Sequence, residues 1–342
     1  DEIYAFKTHP LFQDPELHEK QRALNQGKKI VLISEGIAGG HRASDRAIFG
    51  QLMMQDPTAQ IVILDIEDYA TTLTQRWLQR WPHRVGRYPN LYHALYEFWL
   101  TESFEKWSSE SHKSQALRKV GDKWLDHAFA PLKEKLLELS PDVVLTLHPS
   151  ATLALAYFRV AGMLPPTQTH LSLITDLDPH SLYQAAYFLD HTYVGSPPTA
   201  EAFTRMGVNP AHITVSGMPI HPPKIRLGDT PEKIGQKRAL GLDPQRPLVV
   251  LMAGSTGFGS VQQAFQELLA VQEALSIVVV TGRNQKLKEE LRVLSQRPHN
   301  HNIFIESFIT QPKLHTYTKI AEVVETKGGG LSTYELLAQR VP

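Results

Sequence analysis

Three turns hold the residues of this sequence best suited to chemistry, and each follows an apolar run and opens an amphipathic segment. The first is "GIAGGH" (36–41), which carries Gly39, Gly40 and His41. The second is "AGSTGFGS" (253–260), with Gly254, Gly257 and Gly259. The third is "TKGGGLSTYE" (326–335), with Gly328, Gly329, Gly330, Leu331, Ser332, Thr333 and Glu335. Glycine after a strand lets backbone N–H groups approach an anion, and the helix that follows adds partial positive charge. Every strand-to-helix turn favours glycine, so one such turn means little. Three together, two of them in the second half, point to a phosphorylated ligand bound there. None has the GxGxxG spacing of dinucleotide binding, and no GKS or GKT is present for a P-loop. The first turn leaves a question open, because it could hold an anion or present His41 as a reacting group. Glu335 stands where an acid could take hydrogen bonds from ribose hydroxyls, or could simply be a solvated helix residue. Asp176 and Asp178 in "TDLD" have the Asp-x-Asp form of some metal sites, a pattern common by chance at strand ends. His148 ends a strand in "LTLHPS", where a histidine caps or packs more often than it reacts. No second histidine at zinc-ligand spacing accompanies His41, and no metal is expected.

The totals limit what these residues can belong to. At 342 residues the chain exceeds the usual single core, so two domains are expected. It is 42% hydrophobic and 20% charged, with a formal net charge of +0 and no cysteine. Neutrality gives no global pull toward nucleic acid, and none is expected as a partner. Disulfides and thiolate metal sites are excluded. No run approaches the roughly 20 apolar residues of a membrane span, and no signal-peptide core is evident, so a soluble or peripherally attached protein is expected.

Apolar runs alternate with helical spacing throughout. Strands are predicted at 30–34, 61–66, 143–148, 170–175, 191–195 and 213–217, and then at 248–254, 276–282 and 302–308. Short β-branched runs separated by helices imply parallel strands joined by crossovers. The stretch 218–247, rich in proline and charge with one helical pattern, "PEKIGQKRAL", reads as a linker. The expected fold class is α/β, with two doubly wound Rossmann-like domains at 1–217 and 248–342. One segment breaks the pattern. Residues 73–107 hold four of the five tryptophans, with Trp77 and Trp81 interleaved by Arg76, Arg80, Arg84 and Arg87. Aromatic residues at helical spacing usually form core, but tryptophan beside arginine also suits an anionic membrane surface.

The pieces, in this order, resemble GT-B glycosyltransferases of the monogalactosyldiacylglycerol synthase and processive diacylglycerol glucosyltransferase type, a family 28-like group. The resemblance rests on "GGHRAS", "PDVVLTLHP" (141–149), "LITDLDPH" (173–180), "VSGMPI" (215–220), "AGSTGFGS", "VVTGRN" (279–284) and "TKGGGLSTYELLAQRVP" (326–342). It implies two domains facing across a cleft and inverting transfer of a hexose from a UDP-sugar to a lipid hydroxyl, with diacylglycerol as acceptor. It also implies a cytoplasmic protein attached peripherally to a membrane, with no cofactor beyond the donor substrate. Carried over by position, His41 falls on the family's candidate general base, with Gly39, Gly40 and His148 on the acceptor side. Gly254, Gly257 and Gly259 resemble diphosphate contacts, and Gly328 to Ser332 resemble the donor loop, flanked by Gly282 and Asn284. Phe308 and Ile309 resemble the segment whose backbone reads uracil, and Glu335 the acid that holds ribose.

Several positions depart from that pattern. Glu325 stands where an apolar strand residue is usual, Ser307 replaces a glycine, and Ala253 begins the second turn in place of glycine. The family pattern runs on past Pro342, so the C-terminal domain reads as truncated and its sugar-selecting residues are not in view. A nucleotide-sugar 2-epimerase, or a nucleotide-sugar-binding protein without turnover, are the alternatives.

Overall fold

The computed structural model describes residues 27–35, 39–71, 124–177, 181–220, 227–228, 230–254, 257 and 260–342. The chain divides into two compact units at Pro219 and Ile220.

The first unit is built on β1 (Lys29–Ser34), α1 (Gly39–Gln55), β2 (Gln60–Asp65), α2 (Ala130–Leu139), β3 (Val143–Thr146), α3 (Pro149–Val160) and β4 (Thr169–Leu173). A 3-10 helix (Ser181–Phe188), β5 (His191–Val194), α4 (Pro197–Arg205) and β6 (Ile213–Val215) follow. The six strands are parallel in the order β2-β1-β3-β4-β5-β6. The run "KIVLIS" is apolar without alternation because both faces of β1 are covered. Val31 and Ile33 enter a core with Leu132, Leu155 and Phe158, while Ile30 and Leu32 enter another with Ile48 and Leu147. α1 therefore lies on one face of the sheet and α3 on the other.

The second unit holds α5 (Pro231–Ala239), β7 (Leu248–Met252), α6 (Val261–Leu269), β8 (Ser276–Val280), α7 (Gln285–Leu294) and β9 (Asn302–Glu306). It ends with α8 (Gln311–Ile320), β10 (Val323–Thr326) and α9 (Gly330–Gln339). Its parallel sheet has the order β10-β7-β8-β9. Val250 and Val278 face a core shared with Leu336 of α9, and Leu251 and Val279 face one shared with Phe265 of α6.

The helix inside the stretch read as a linker is tied to this second unit. Lys233 and Lys237 are buried, and their ammonium groups lie 2.5 and 3.4 Å from Glu322 at the foot of β10. Burial alone would raise the Glu322 carboxyl, but the two lysines and the Leu248 N–H hold it below its usual range.

The departures in this half also find places. Glu325 points outward from β10, at the end of the sheet, so no apolar side chain is needed there. Ala253 is fully buried, its methyl group in the core beside Leu251. Ser307 accepts a hydrogen bond from Lys288 at 2.6 Å.

Candidate functional site

An open parallel sheet binds ligands at the carboxyl ends of its strands, where the strand order reverses and successive helices leave toward opposite faces. In the second unit that point lies between β7 and β10. From β7 the chain moves through β8 to β9, and β10 then pairs on the other side of β7. Met252 and Thr326 are partners at the upper edge, so the second and third glycine turns start side by side.

The glycines there have different causes. Gly257 has φ +73°, and a methyl group on it would lie 2.3 Å from Cβ of Asn284 and 2.4 Å from the Thr281 carbonyl oxygen. Close packing of two loops demands glycine at that position. Asn284 fixes the contact: its Nδ2 donates to the Gly257 carbonyl at 2.9 Å, and its Oδ1 accepts from Leu287 N–H at the start of α7. Gly282, with φ +62°, turns the chain between β8 and α7. Gly328 is the opposite case. Its φ is not left-handed, and a methyl group on it would meet nothing within 4 Å. Among the described residues nothing accounts for glycine at Gly328, and the backbone there is open to a ligand's approach. Gly329 is the N-cap of α9, whose first N–H groups receive no side-chain cap. Gly330 begins that helix, Leu331 is buried and Ser332 is half-buried.

Glu335 lies on the first turns of α9 and accepts a hydrogen bond from Nε2 of Gln311, the first residue of α8, at 3.1 Å. Burial pushes its carboxyl up to about 7, against the opposing pull of that hydrogen bond. At the end of β9, Phe308 is exposed, with the Arg283 guanidinium 5.4 Å from its ring centroid. Ile309 packs against the core under α8.

In the first unit the strand order reverses between β1 and β3. Glu35 directly follows β1, His148 follows β3, and the two side chains meet there as a half-buried to buried pair through Nε2. His148 is also the N-cap of α3, its Nδ1 accepting from Ser150 N–H at 3.3 Å. With Nδ1 an acceptor, the proton of a neutral ring sits on Nε2 and is donated to Glu35. His41 is the third residue of α1, and its side chain, with those of Gly39 and Gly40, lies outside the described residues.

The monogalactosyldiacylglycerol synthase family model matches residues 41–220, more than half of the chain. The chain belongs to the MGDG synthase family. It is 22% identical over 320 residues to a processive diacylglycerol beta-glucosyltransferase of Bacillus pumilus, covering 93% of this chain and 77% of that protein. It is 23% identical over 326 residues to monogalactosyldiacylglycerol synthase 1 of Arabidopsis thaliana, covering 92% of this chain and 57% of that one. The curated relatives named are glycosyltransferases. Among solved structures, Acinetobacter baumannii MurG superposes with a TM-score of 0.51 at 15% identity, over 91% of this chain and 76% of that one. The fold class is thus the expected GT-B one, two Rossmann-like units.

For this MGDG synthase family member, the structure brings Gly254, Gly257, Gly282, Asn284, Gly328, Gly329, Gly330, Leu331, Ser332 and Glu335 to the carboxyl end of the second sheet. Gly259, Asp178, Trp77, Arg80, Trp81, Arg84 and Arg87 lie outside the described residues. Among the described residues no three His, Asp or Glu side chains converge as metal ligands, and no helix is long and apolar enough to cross a membrane. Sequence reasoning missed Glu35, Gln311 and Lys327. Glu35 had one usable signal, a charged residue just beyond the apolar run Ile30–Ile33 of β1.

Proposed function

We propose that this chain is an inverting glycosyltransferase that moves a hexose from a UDP-sugar to the hydroxyl of a lipid, diacylglycerol, at an anionic membrane surface facing the cytoplasm. The observation that carries the donor half is the reversal of strand order between β7 and β10. That point bears an open glycine turn, an uncapped helix N-terminus and a desolvated carboxyl, Glu335. Backbone N–H groups of the turns take the diphosphate, and Glu335 takes the ribose hydroxyls. The backbone of Phe308 and Ile309 reads the uracil base. The family relationship supports the acceptor half, since the named relatives act on diacylglycerol.

The reaction assigns a job to each group. The lipid hydroxyl attacks the anomeric carbon from the face opposite the diphosphate. The bond from that carbon to the β-phosphate oxygen breaks, and UDP leaves with the electron pair. The hydroxyl proton passes to His41, whose imidazole is poised near neutral pH. Charge gathering on UDP is met by preoriented N–H dipoles, with no metal required. The aromatic and arginine-rich segment 73–107 supplies the membrane contact.

The fold alone does not select this reaction, because the UDP-GlcNAc 2-epimerase of Methanocaldococcus jannaschii superposes with a TM-score of 0.50 at 12% identity. Release of UDP from UDP-galactose or UDP-glucose, measured with and without diacylglycerol vesicles and with EDTA, is the test. Release that needs the lipid and survives EDTA is expected. Epimerised UDP-sugar, binding without turnover, or activity restored only by manganese would each refute a stated part.

A further inference from the structure

Gly254 differs from both of its neighbours among the turn glycines. Its φ is +70°, which favours glycine, and the space a side chain would take is already filled. A methyl group there would lie 2.7 Å from Cε of Lys327, 3.5 Å from its Cδ and 3.4 Å from its Nζ. The lysine stem therefore runs across the bare face of Gly254. Register explains the meeting: Thr326 pairs with Met252, so the residues that follow on β10 and β7 leave the sheet together at the reversal of strand order.

Lys327 holds this position without an internal reward. Its ammonium group has no hydrogen-bond or ion-pair partner among the described residues, unlike nearby Lys288, bound to Ser307, and Lys313, bound to Glu306. Laying a long side chain across a turn costs rotamer freedom, and among the described residues no hydrogen bond or ion pair offsets that cost; the ammonium group is left exposed to water. Immediately beside it are the open backbone of Gly328 and the uncapped N-terminus of α9. A cation, free N–H groups and room for a ligand are the recognition chemistry of a phosphate, with lysine acting as a point charge.

We propose that Gly254 is glycine in order to seat the Lys327 stem, and that the Lys327 ammonium group is the cation that meets the diphosphate. This rests on the donor-site reading above and changes the part Gly254 plays in it: the residue acts through Lys327 and does not itself touch phosphate. In the transfer step Lys327 then sits against the leaving group, where negative charge grows as the glycosidic bond breaks.

The test is a calorimetric cycle on the full chain with UDP and uridine as the two probes, using K327M, G254A and the double variant. Loss of a charged hydrogen bond should weaken UDP binding about tenfold or more in K327M, while uridine, which has no phosphate, binds as before. G254A should also weaken UDP binding, because its methyl group displaces the lysine. Added to K327M it should cost little more, since the lysine it displaces is already gone. Backbone strain from alanine at a positive φ would instead cost the same factor in both backgrounds, and that result overturns the proposal. An unchanged ratio of UDP to uridine affinity in K327M overturns it as well, and this arm stands even where G254A folds poorly. Wild-type protein that binds neither probe refutes the donor site itself. Wild-type protein that prefers UDP, with K327M showing the same preference, refutes only the role of Lys327.

Discussion

Replacing Glu335 by glutamine should raise stability and lower donor affinity at once. The substituted amide keeps the size of the side chain, and its oxygen can still accept from Gln311 Nε2. What the change removes is a charge the protein holds out of water. A carboxyl raised from its ordinary 4.5 to about 7 is destabilised in its ionised form by about 3 kcal/mol. The sign follows from linkage. A folded-state value above the unfolded one gives stability that is fully present below about pH 4.5 and is lost as pH rises through about 7. Near pH 8 the wild type therefore carries most of that cost, and E335Q should be more stable by up to about 3 kcal/mol; near pH 4.5 the two should coincide. Donor binding moves the other way. In the proposed donor site ribose hydroxyls donate to the ionised form, so E335Q should bind UDP-glucose weaker by about 1.5–3 kcal/mol near pH 8. Wild-type affinity should fall as pH drops below about 7, because binding must first expel a proton. UDP-glucose suits the assay because its diphosphate, esterified at both ends, carries the same charge across this range. Denaturant midpoints and calorimetric affinities, each taken near pH 5 and pH 8, decide the matter. Equal stability of the two proteins near pH 8 would refute the desolvation argument. Equal UDP-glucose affinity would remove Glu335 from the donor site.

Three further outcomes are expected. His41→Ala should lower kcat by about 10²–10⁴-fold with donor affinity nearly intact; unchanged turnover removes His41 from the mechanism. Changing Arg80, Arg84 and Arg87 together to Glu should abolish co-sedimentation with anionic vesicles while UDP binding persists, and vesicle binding that survives would return 73–107 to the core. His170 is buried, with burial foremost and Arg159 second in pushing its imidazole down to about 4. A folded value below the unfolded 6.5 gives stability present above about pH 6.5 and lost as pH falls toward 4, about 3 kcal/mol in all. Urea midpoints of His170→Gln should show a shallower acid loss than wild type, and a parallel loss would refute that assignment.

The strands were legible because apolar side chains dominate them on both faces. Doubly buried runs such as "IVLI" in β1 and "IVVV" in β8 stand out as unbroken apolar stretches rich in β-branched residues, and all nine predicted strands match observed ones. Their predicted ends ran long at 143–148, 170–175, 213–217, 248–254, 276–282 and 302–308; the first and third of these show why. The chain still reads as extended there, but strand pairing stops where His148 begins capping α3 and where Gly217 turns the chain at φ +78°. β10 was visible only through the family pattern, since Glu325 interrupts its apolar run on the exposed side of the last strand. The helix at 231–239 was read from its spacing, but its attachment was not. That depends on Glu322, 85 and 89 residues away from the lysines it binds. The same limit hid the site partners. Glu35 meets His148 because β1 pairs with β3, and Lys327 meets Gly254 because β10 pairs with β7. Spacing along the chain records neither meeting.

The two sheets follow one topological rule and carry different chemistry where their strand order reverses. Between β1 and β3 the first unit places a carboxylate and an imidazole joined to each other, Glu35 accepting from His148, at the end of the sheet where α1, which carries His41, begins. Between β7 and β10 the second places free amides and an ammonium group, which accept negative charge. The transfer proposed above calls for a proton acceptor for the nucleophile and a cation for the leaving group. Neither set suits the other role. The Glu35 carboxylate beside a leaving diphosphate would oppose it, and Lys327 beside an alcohol would hold no proton acceptor to the task. The proposed anion site follows from the glycine turns of the second unit, and the proposed proton acceptor, His41, from the glycine turn after β1. Each has its own failure: loss of Lys327 should show in binding of the diphosphate, and loss of a proton acceptor in turnover alone.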